Sequence, residues 1–266
     1  MSDFKKFESA AWERKAPAYD STWGSVTTQP VDAVLDELSI QPGTTLLDCG
    51  CGPGHLCYRA SLREAVVTGC DYSHEMVRIA KSLYPGIEFC HGDVEALPFQ
   101  SGSFDAVVMN YLLLHVPNQD VALLEASRVV KSGGRLAFTI WCSPAESPGL
   151  SLIFKPLKQY ADMSVIPPAQ DIFMYSSPET AKAFLSEHGF TDIHARTFET
   201  AWHLQNPEMF FEAVQAGTRM GGAIELQTDE VKERIRDSIL EDLGRFRSGN
   251  EFVIPMPSLI VSARKL

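Results

Sequence analysis

Three glycines and a carboxylate stand close together in the run Asp48-Cys49-Gly50-Cys51-Gly52-Pro53-Gly54, and a second carboxylate, Asp71, follows further along the chain. Glycines at this spacing let a backbone approach a ligand where any Cβ would clash, and Gly54 allows a following helix to pack closely. A carboxylate at the end of the next strand can accept both hydroxyls of a ribose. The spacing is G-x-G-x-G, whereas dinucleotide pyrophosphate sites show G-x-G-x-x-G. Pro53 also removes an N–H that a pyrophosphate would use. The pattern points to a nucleoside-containing ligand without phosphates. The plain alternatives are a tight turn that binds no nucleoside and an Asp71 that simply caps a helix.

These groups need a strand before the glycine turn, a helix after it and a strand ending at Asp71. Residues 45–49, 65–70, 87–90, 104–110 and 134–141 read as strands, being apolar and bounded by Gly, Pro or Asp. Residues 55–64, 74–83 and 119–130 between them read as helices, the second capped by Ser73 with Met76, Ile79 and Ala80 on one face. Lys131-Ser132-Gly133-Gly134 ends the third. Such alternation predicts an α/β fold with a mostly parallel sheet covered on both faces. Residues 9–16 and 31–38 read as helices ahead of it. Beyond it, 150–160, 178–188, 207–219 and 229–246 read as helices and 197–204 and 252–264 as strands.

The 266 residues carry 23 Lys and Arg against 34 Asp and Glu, a formal charge of −11. The acidic excess is spread along the chain, which argues against a nucleic-acid partner held through its phosphates. No run approaches the roughly 18 apolar residues of a membrane span. The first residues lack an apolar signal core, so the expected location is cytoplasmic, with no membrane association. The six cysteines form no C-x-x-C pair, and neither a metal site nor a disulfide is expected.

In these segments the chain resembles the class I S-adenosylmethionine-dependent methyltransferases, particularly the small-molecule branch similar to ubiquinone and menaquinone biosynthesis enzymes. Asp48–Gly54 resembles the family's first motif and Asp71-Tyr-Ser-x-x-Met76 its ribose segment. Gly92-Asp93-Val-Glu-Ala-Leu-Pro-Phe99 resembles its adenine segment. Phe104-Asp-Ala-Val-Val, Leu114-His115-Val-Pro and Val130-Lys-Ser-Gly-Gly134 match the stretches around strands four and five. The resemblance spans about residues 8–141. It implies a doubly wound, seven-stranded, mostly parallel Rossmann-like sheet whose last strand is antiparallel, with a helical cap inserted after strand five and between strands six and seven. Residues 1–39 would form a lid, 40–141 the cofactor-binding core, and 142–266 the end of the sheet and the cap, within one structural domain.

The resemblance also implies roles. Asp48, Gly50 and Cys51, in the turn completed by Gly52 and Gly54, would hold the methionine amino group of S-adenosylmethionine, which leaves as S-adenosylhomocysteine. Asp71 would bind the ribose, with Tyr72 and Met76 packed on the adenine. Asp93 would accept the adenine amino group, and the Val94 N–H would meet a ring nitrogen. Asn110 would offer its carbonyl to the methionine end, with Tyr111 and His115 nearby. Tyr19 would close over the sulfonium and Arg14 pair with the carboxylate. Tyr72, Met76 and His115 also have plainer readings as core or helix residues.

The acceptor is narrowed by what is missing. Asn110 is followed by Tyr-Leu-Leu and not by the Pro-Pro-aromatic run of enzymes that methylate base amino groups. No Pro-Cys supplies a cytosine C5 nucleophile, and no acid lies between Asn110 and Asp120 to help hold Mg²⁺. A metal-independent methyl transfer to a small, apolar or aromatic molecule remains. Residues 142–266 would line its pocket, through Met163, Met174, Met209, Met220 and Met256 with Phe173, Tyr175, Trp202, Phe210 and Phe211. His115 is the first candidate base, ahead of His203 and Tyr175. An NAD-type oxidoreductase and a cofactor-binding module without catalysis are the alternatives. The oligomeric state is not encoded in any motif.

Overall fold

A computed structural model describes residues 2–266. Among these described residues ten strands form: β1 Thr45–Cys49, β2 Val66–Asp71, β3 Glu88–His91, β4 Phe104–Asn110, β5 Val130–Trp141, β6 Phe190–Phe198, β7 Ala201–Leu204, β8 Arg247–Ser248, β9 Glu251–Pro255 and β10 Ser258–Lys265. Seven make one sheet in the order β3-β2-β1-β4-β5-β10-β6. β10 runs antiparallel to both neighbours, and the β1–β2, β2–β3, β1–β4 and β4–β5 pairs are parallel. This is the doubly wound sheet with one reversed strand that the family resemblance implies.

Alternation along the central strands builds a core on each face. Leu47, Val107, Met109, Leu136 and Phe138 join Leu123, Ala126 and Val129 of helix Gln119–Val129 and Leu185 of helix Pro178–Glu187. Leu46, Ala106, Val108 and Ala137 face the other way, onto Val34 and Leu35, Leu56 and Ala60, and Val77 and Ala80. These six belong to helices Val31–Glu37, His55–Ser61 and His74–Leu83. Each such fully buried Leu contributes about 1.5–3 kcal/mol. Side-chain caps fix where two of the helices start, Ser73 Oγ accepting from Met76 N and Asn118 Oδ1 from Val121 N.

Contacts divide the chain into two compact units. One comprises Thr27–Trp141, Gln170–Phe198 and Ser258–Leu266, and contains the seven-stranded sheet. The other comprises the residues up to Val26, Cys142–Ala169 and Glu199–Pro257. It holds helices Asp3–Lys15, Pro148–Tyr160, Pro207–Ala216, Arg219–Glu225 and Asp229–Leu243 and the small sheet β7-β9-β8. Its insertions follow β5 and lie between β6 and β10, where the resemblance places them, but the small sheet was not expected.

The expected strands 197–204 and 252–264 are each two strands, in different sheets. Ser258 pairs with Phe198 in the large sheet, while Ala201 pairs with Pro255 in the small one. Between them Met256 N donates to Thr200 O, and the Thr200 hydroxyl donates to Met256 O. Residues 197–204 keep β-type composition through the break, whereas Pro255 and Pro257 mark the break within 252–264, a signal that the expected single strand passed over. The expected helix 207–219 also divides, at Gly217, whose N–H donates to Ala213 and Val214 carbonyls. Lys15 Nζ donates to Gln215 O at 2.6 Å and Gly217 O at 2.9 Å, serving as the cationic cap of that helix end. The first helix begins at Asp3, six residues before the expected start, because Ser2 Oγ accepts from Lys5 N.

Candidate active site

Five parallel strand ends carry the motif residues. In the order β3-β2-β1-β4-β5 the winding reverses between β1 and β4, and ligands of open α/β sheets bind outside the carboxyl ends at such a reversal. The turn after β1 takes left-handed backbone at all three glycines, φ being 67° at Gly50, 52° at Gly52 and 86° at Gly54. A Cβ on Gly54 would lie 2.8 Å from the Phe89 ring, so this glycine admits β3 and its helix to close contact. A Cβ on Gly50 would lie 2.6 Å from Leu112, which belongs to the turn after β4. Nothing lies within 4 Å of a Cβ on Gly52, so this residue borders open space.

The turn is tied to β2. Gly50 N donates to Cys70 O at 2.7 Å, and Gly52 N donates to Asp71 Oδ2 at 2.8 Å. The other oxygen of Asp71 accepts from Ser73 N at 2.9 Å. Ser73, not Asp71, is the N-cap of helix His74–Leu83. Burial raises the Asp71 pKa above the ordinary carboxylate value, against the lowering by the Ser73 and Gly52 N–H groups and by His115 and His91. His115 therefore lies within electrostatic reach of Asp71.

Asp48 is buried at the end of β1, and burial pushes its carboxyl up to about 7. Cys57 Sγ donates to Oδ2, while Oδ1 is buried with no hydrogen-bond partner. A buried acceptor without a donor is uncommon and fits a ligand cation or donor. All six cysteines are free thiols, and burial pushes Cys49 and Cys57 up, keeping them neutral.

Tyr72 follows Asp71, its ring 5.6 Å from that of His91, which in turn stacks on His74 at 3.9 Å. Met76 is buried beneath. Beyond β3, Gly92 N donates to Asp71 O, and Asp93 accepts from Glu95 N and Ala96 N in a tight turn. Val94 is buried in the core cluster. After β4, Asn110 Nδ2 donates to Thr27 O, and Tyr111 adopts left-handed backbone with φ 52°. The Tyr111 ring stacks on Trp141 at 4.1 Å. His115 closes the single turn Leu113–His115.

Arg14 and Tyr19 lie in the other unit. Arg14 approaches Glu225 at 3.9 Å, and the Tyr19 ring meets the edge of Trp12. Of the tail residues, Trp202, Phe210, Phe211 and Met256 are buried core of that unit, and Met163 and Met209 are exposed. Met174 and Tyr175 belong to the sheet unit's core cluster. Tyr175 donates its hydroxyl to Asp120, which together with burial pushes its pKa up, so it is not a base near neutral pH. His203 is exposed and 3.5 Å from Glu251. Cys57, Thr27, Thr139 and Trp141 were not found from the sequence. They look like ordinary core residues, and the roles of Thr27, Thr139 and Trp141 come from partners distant in the chain.

Sheet order and glycine turn together define a Rossmann-like methyltransferase fold. A family model described as a methyltransferase domain matches residues 47–138. The chain is 30% identical over 188 residues to the demethylmenaquinone methyltransferase of Staphylococcus aureus, covering 62% of this chain and 75% of that protein. Solved structures share the fold, two of them as follows. The YcgJ protein of Bacillus subtilis has a TM-score of 0.58 at 19% identity, covering 88% of this chain and 97% of that one. Haemonchus contortus phosphoethanolamine N-methyltransferase 2, solved with phosphomonomethylethanolamine and S-adenosylhomocysteine, has 0.61 at 16%, covering 100% and 60%. The chain belongs to the class I S-adenosylmethionine-dependent methyltransferases, of the menaquinone- and ubiquinone-like kind. It is thus an enzyme that transfers a methyl group from S-adenosylmethionine, which sets aside the nicotinamide alternative and the module without catalysis.

Proposed function

We propose that the acceptor is a small apolar or aromatic molecule, methylated without a metal ion at the carboxyl edge of β1 and β4. The observation that carries the placement is the orphaned Asp48 Oδ1 beside the left-handed turn whose Gly52 borders open space. S-adenosylmethionine supplies an electrophilic methyl on a sulfonium whose charge disappears in the transition state.

The chain's own groups bind, orient and exclude water. Asp48, with Gly50, Cys51, Gly52 and Gly54, holds the methionine amino end. Asp71 takes the ribose hydroxyls while keeping its bond to Gly52. Tyr72 and Met76 flank the adenine, Asp93 accepts its amino group, and Val94 N–H donates to the ring. Asn110 offers its carbonyl at the methionine end. The Tyr111–Trp141 stack and Leu112 form an apolar wall beside that end, which suits an apolar or aromatic acceptor. His115 takes a proton if the acceptor carries one. Among the described residues no three His, Cys, Asp or Glu side chains are grouped to hold a metal ion. The roles of Arg14 and Tyr19 rest on the family resemblance alone.

The test is transfer of tritium from methyl-labelled S-adenosylmethionine to a panel of quinols, phenols and aliphatic amines, with and without EDTA. Labelling confined to apolar or aromatic members and unaffected by EDTA is expected. Labelling only of polar amines, or its loss with EDTA, would refute the reading.

A further inference from the structure

We propose that Thr139 is a positioning residue of the methyl-transfer site, whose hydroxyl holds Asn110 and Tyr111 in the conformation that shapes the end of β4. β4 and β5 pair with Asn110 opposite Thr139. Thr139 Oγ1 accepts from Tyr111 N at 2.9 Å and donates to Asn110 Oδ1 at 2.7 Å. The Tyr111 N–H also reaches Thr139 O at 3.2 Å, and Asn110 Nδ2 donates to Thr27 O at 3.1 Å. The direction of every bond is fixed. A hydroxyl that accepts from an N–H has its own proton free for Asn110, and this turns the amide so that its NH₂ meets the Thr27 carbonyl.

Thr139 is fully buried, so no water can replace the hydroxyl without rearrangement. What the relay holds is unusual. A bulky residue with φ of 52° is strained and persists only where its surroundings over-determine it. Trp141, two residues along and on the same face of β5, stacks on the Tyr111 ring and completes the clamp. Leu112, next in the chain, meets Gly50 at a distance that leaves no room for a Cβ. Relaxation of Tyr111 would therefore disturb both the β4 end and the glycine turn. Without the hydroxyl, Asn110 Oδ1 loses its donor and Tyr111 N–H loses its 2.9 Å bond.

The inference rests on the cofactor placement proposed above, and the test separates the two. S-adenosylhomocysteine is titrated calorimetrically into the parent protein and into Thr139→Val, Thr139→Ala and Thr139→Ser, with thermal melting of each. Val and Ala are expected to weaken binding about ten-fold and Ser to stay within about two-fold of the parent. A general packing role would be met by Val, which keeps the shape, and would not be rescued by Ser. Should Val fail to fold, the Ala and Ser pair still isolates the hydroxyl. Parent-like binding by the folded variants lacking the hydroxyl, or a Ser variant as weak as Ala, would overturn this proposal alone. No binding by the parent would overturn the placement and this proposal with it.

Discussion

Cys57 donates its thiol to Asp48 Oδ2 at 3.2 Å, so among the described residues a neutral sulfur is the one donor to a carboxyl raised to about 7. In an unfolded chain that carboxyl titrates near about 3.9. Between these values the folded protein keeps a proton that the unfolded chain has released. Stability therefore falls as pH rises from about 4 to about 7 and is level above that. Asp48→Asn removes the contribution, so its melting temperature relative to the parent should climb across that window. Scanning calorimetry at pH 5, 6, 7 and 8 checks it. A constant difference would count against the raised carboxyl.

The same carboxyl predicts how binding depends on pH. An ammonium group near Oδ1 favours the ionised form, so S-adenosylmethionine should bind more tightly as pH rises from 6 to 8, by up to about ten-fold. Asp48→Asn should flatten that profile. Calorimetric titration of both proteins at each pH is the measurement.

Gly52 and Gly54 should respond differently to alanine. Both need left-handed backbone, a strain of about 1–2 kcal/mol for a residue with a Cβ. At Gly54 the added methyl also strikes the Phe89 ring, so Gly54→Ala should lower the melting temperature the more. Gly52→Ala meets no protein atom and should cost affinity for S-adenosylhomocysteine more than stability. Equal effects of the two variants on both readouts would contradict this division.

His115→Ala should leave S-adenosylmethionine affinity within about three-fold and lower turnover about a hundred-fold, the lower end of what a general base contributes. Tyr175→Phe should do the reverse. It loses the hydrogen bond to Asp120, worth about 1 kcal/mol of stability, with turnover per folded molecule unchanged. Initial rates with labelled cofactor, alongside thermal melts, distinguish the two.

Much of the sheet and its ligand-bearing turns was legible because each feature is written locally. A glycine turn sits between an apolar strand and an amphipathic helix, and Asp71 ends the next strand. The small sheet was not legible, since 197–204 alternates like any half-buried strand and nothing in it says that Thr200 leaves one sheet for another. The split at Gly217 depends on Lys15, some two hundred positions earlier in the chain. Thr139 is a β-branched residue in a strand, as expected there on propensity alone, and its hydroxyl acquires meaning only opposite Asn110.

Placing β10 between β5 and β6 sets the timing of assembly during synthesis. β10 is the last of the seven strands to leave the ribosome, and until it does, β6 has no neighbour in the sheet and β5 presents a bare edge. The nascent chain must therefore carry two unpaired, adhesive strand margins through the translation of residues 199–257, and a stall within that stretch would leave an aggregation-prone intermediate.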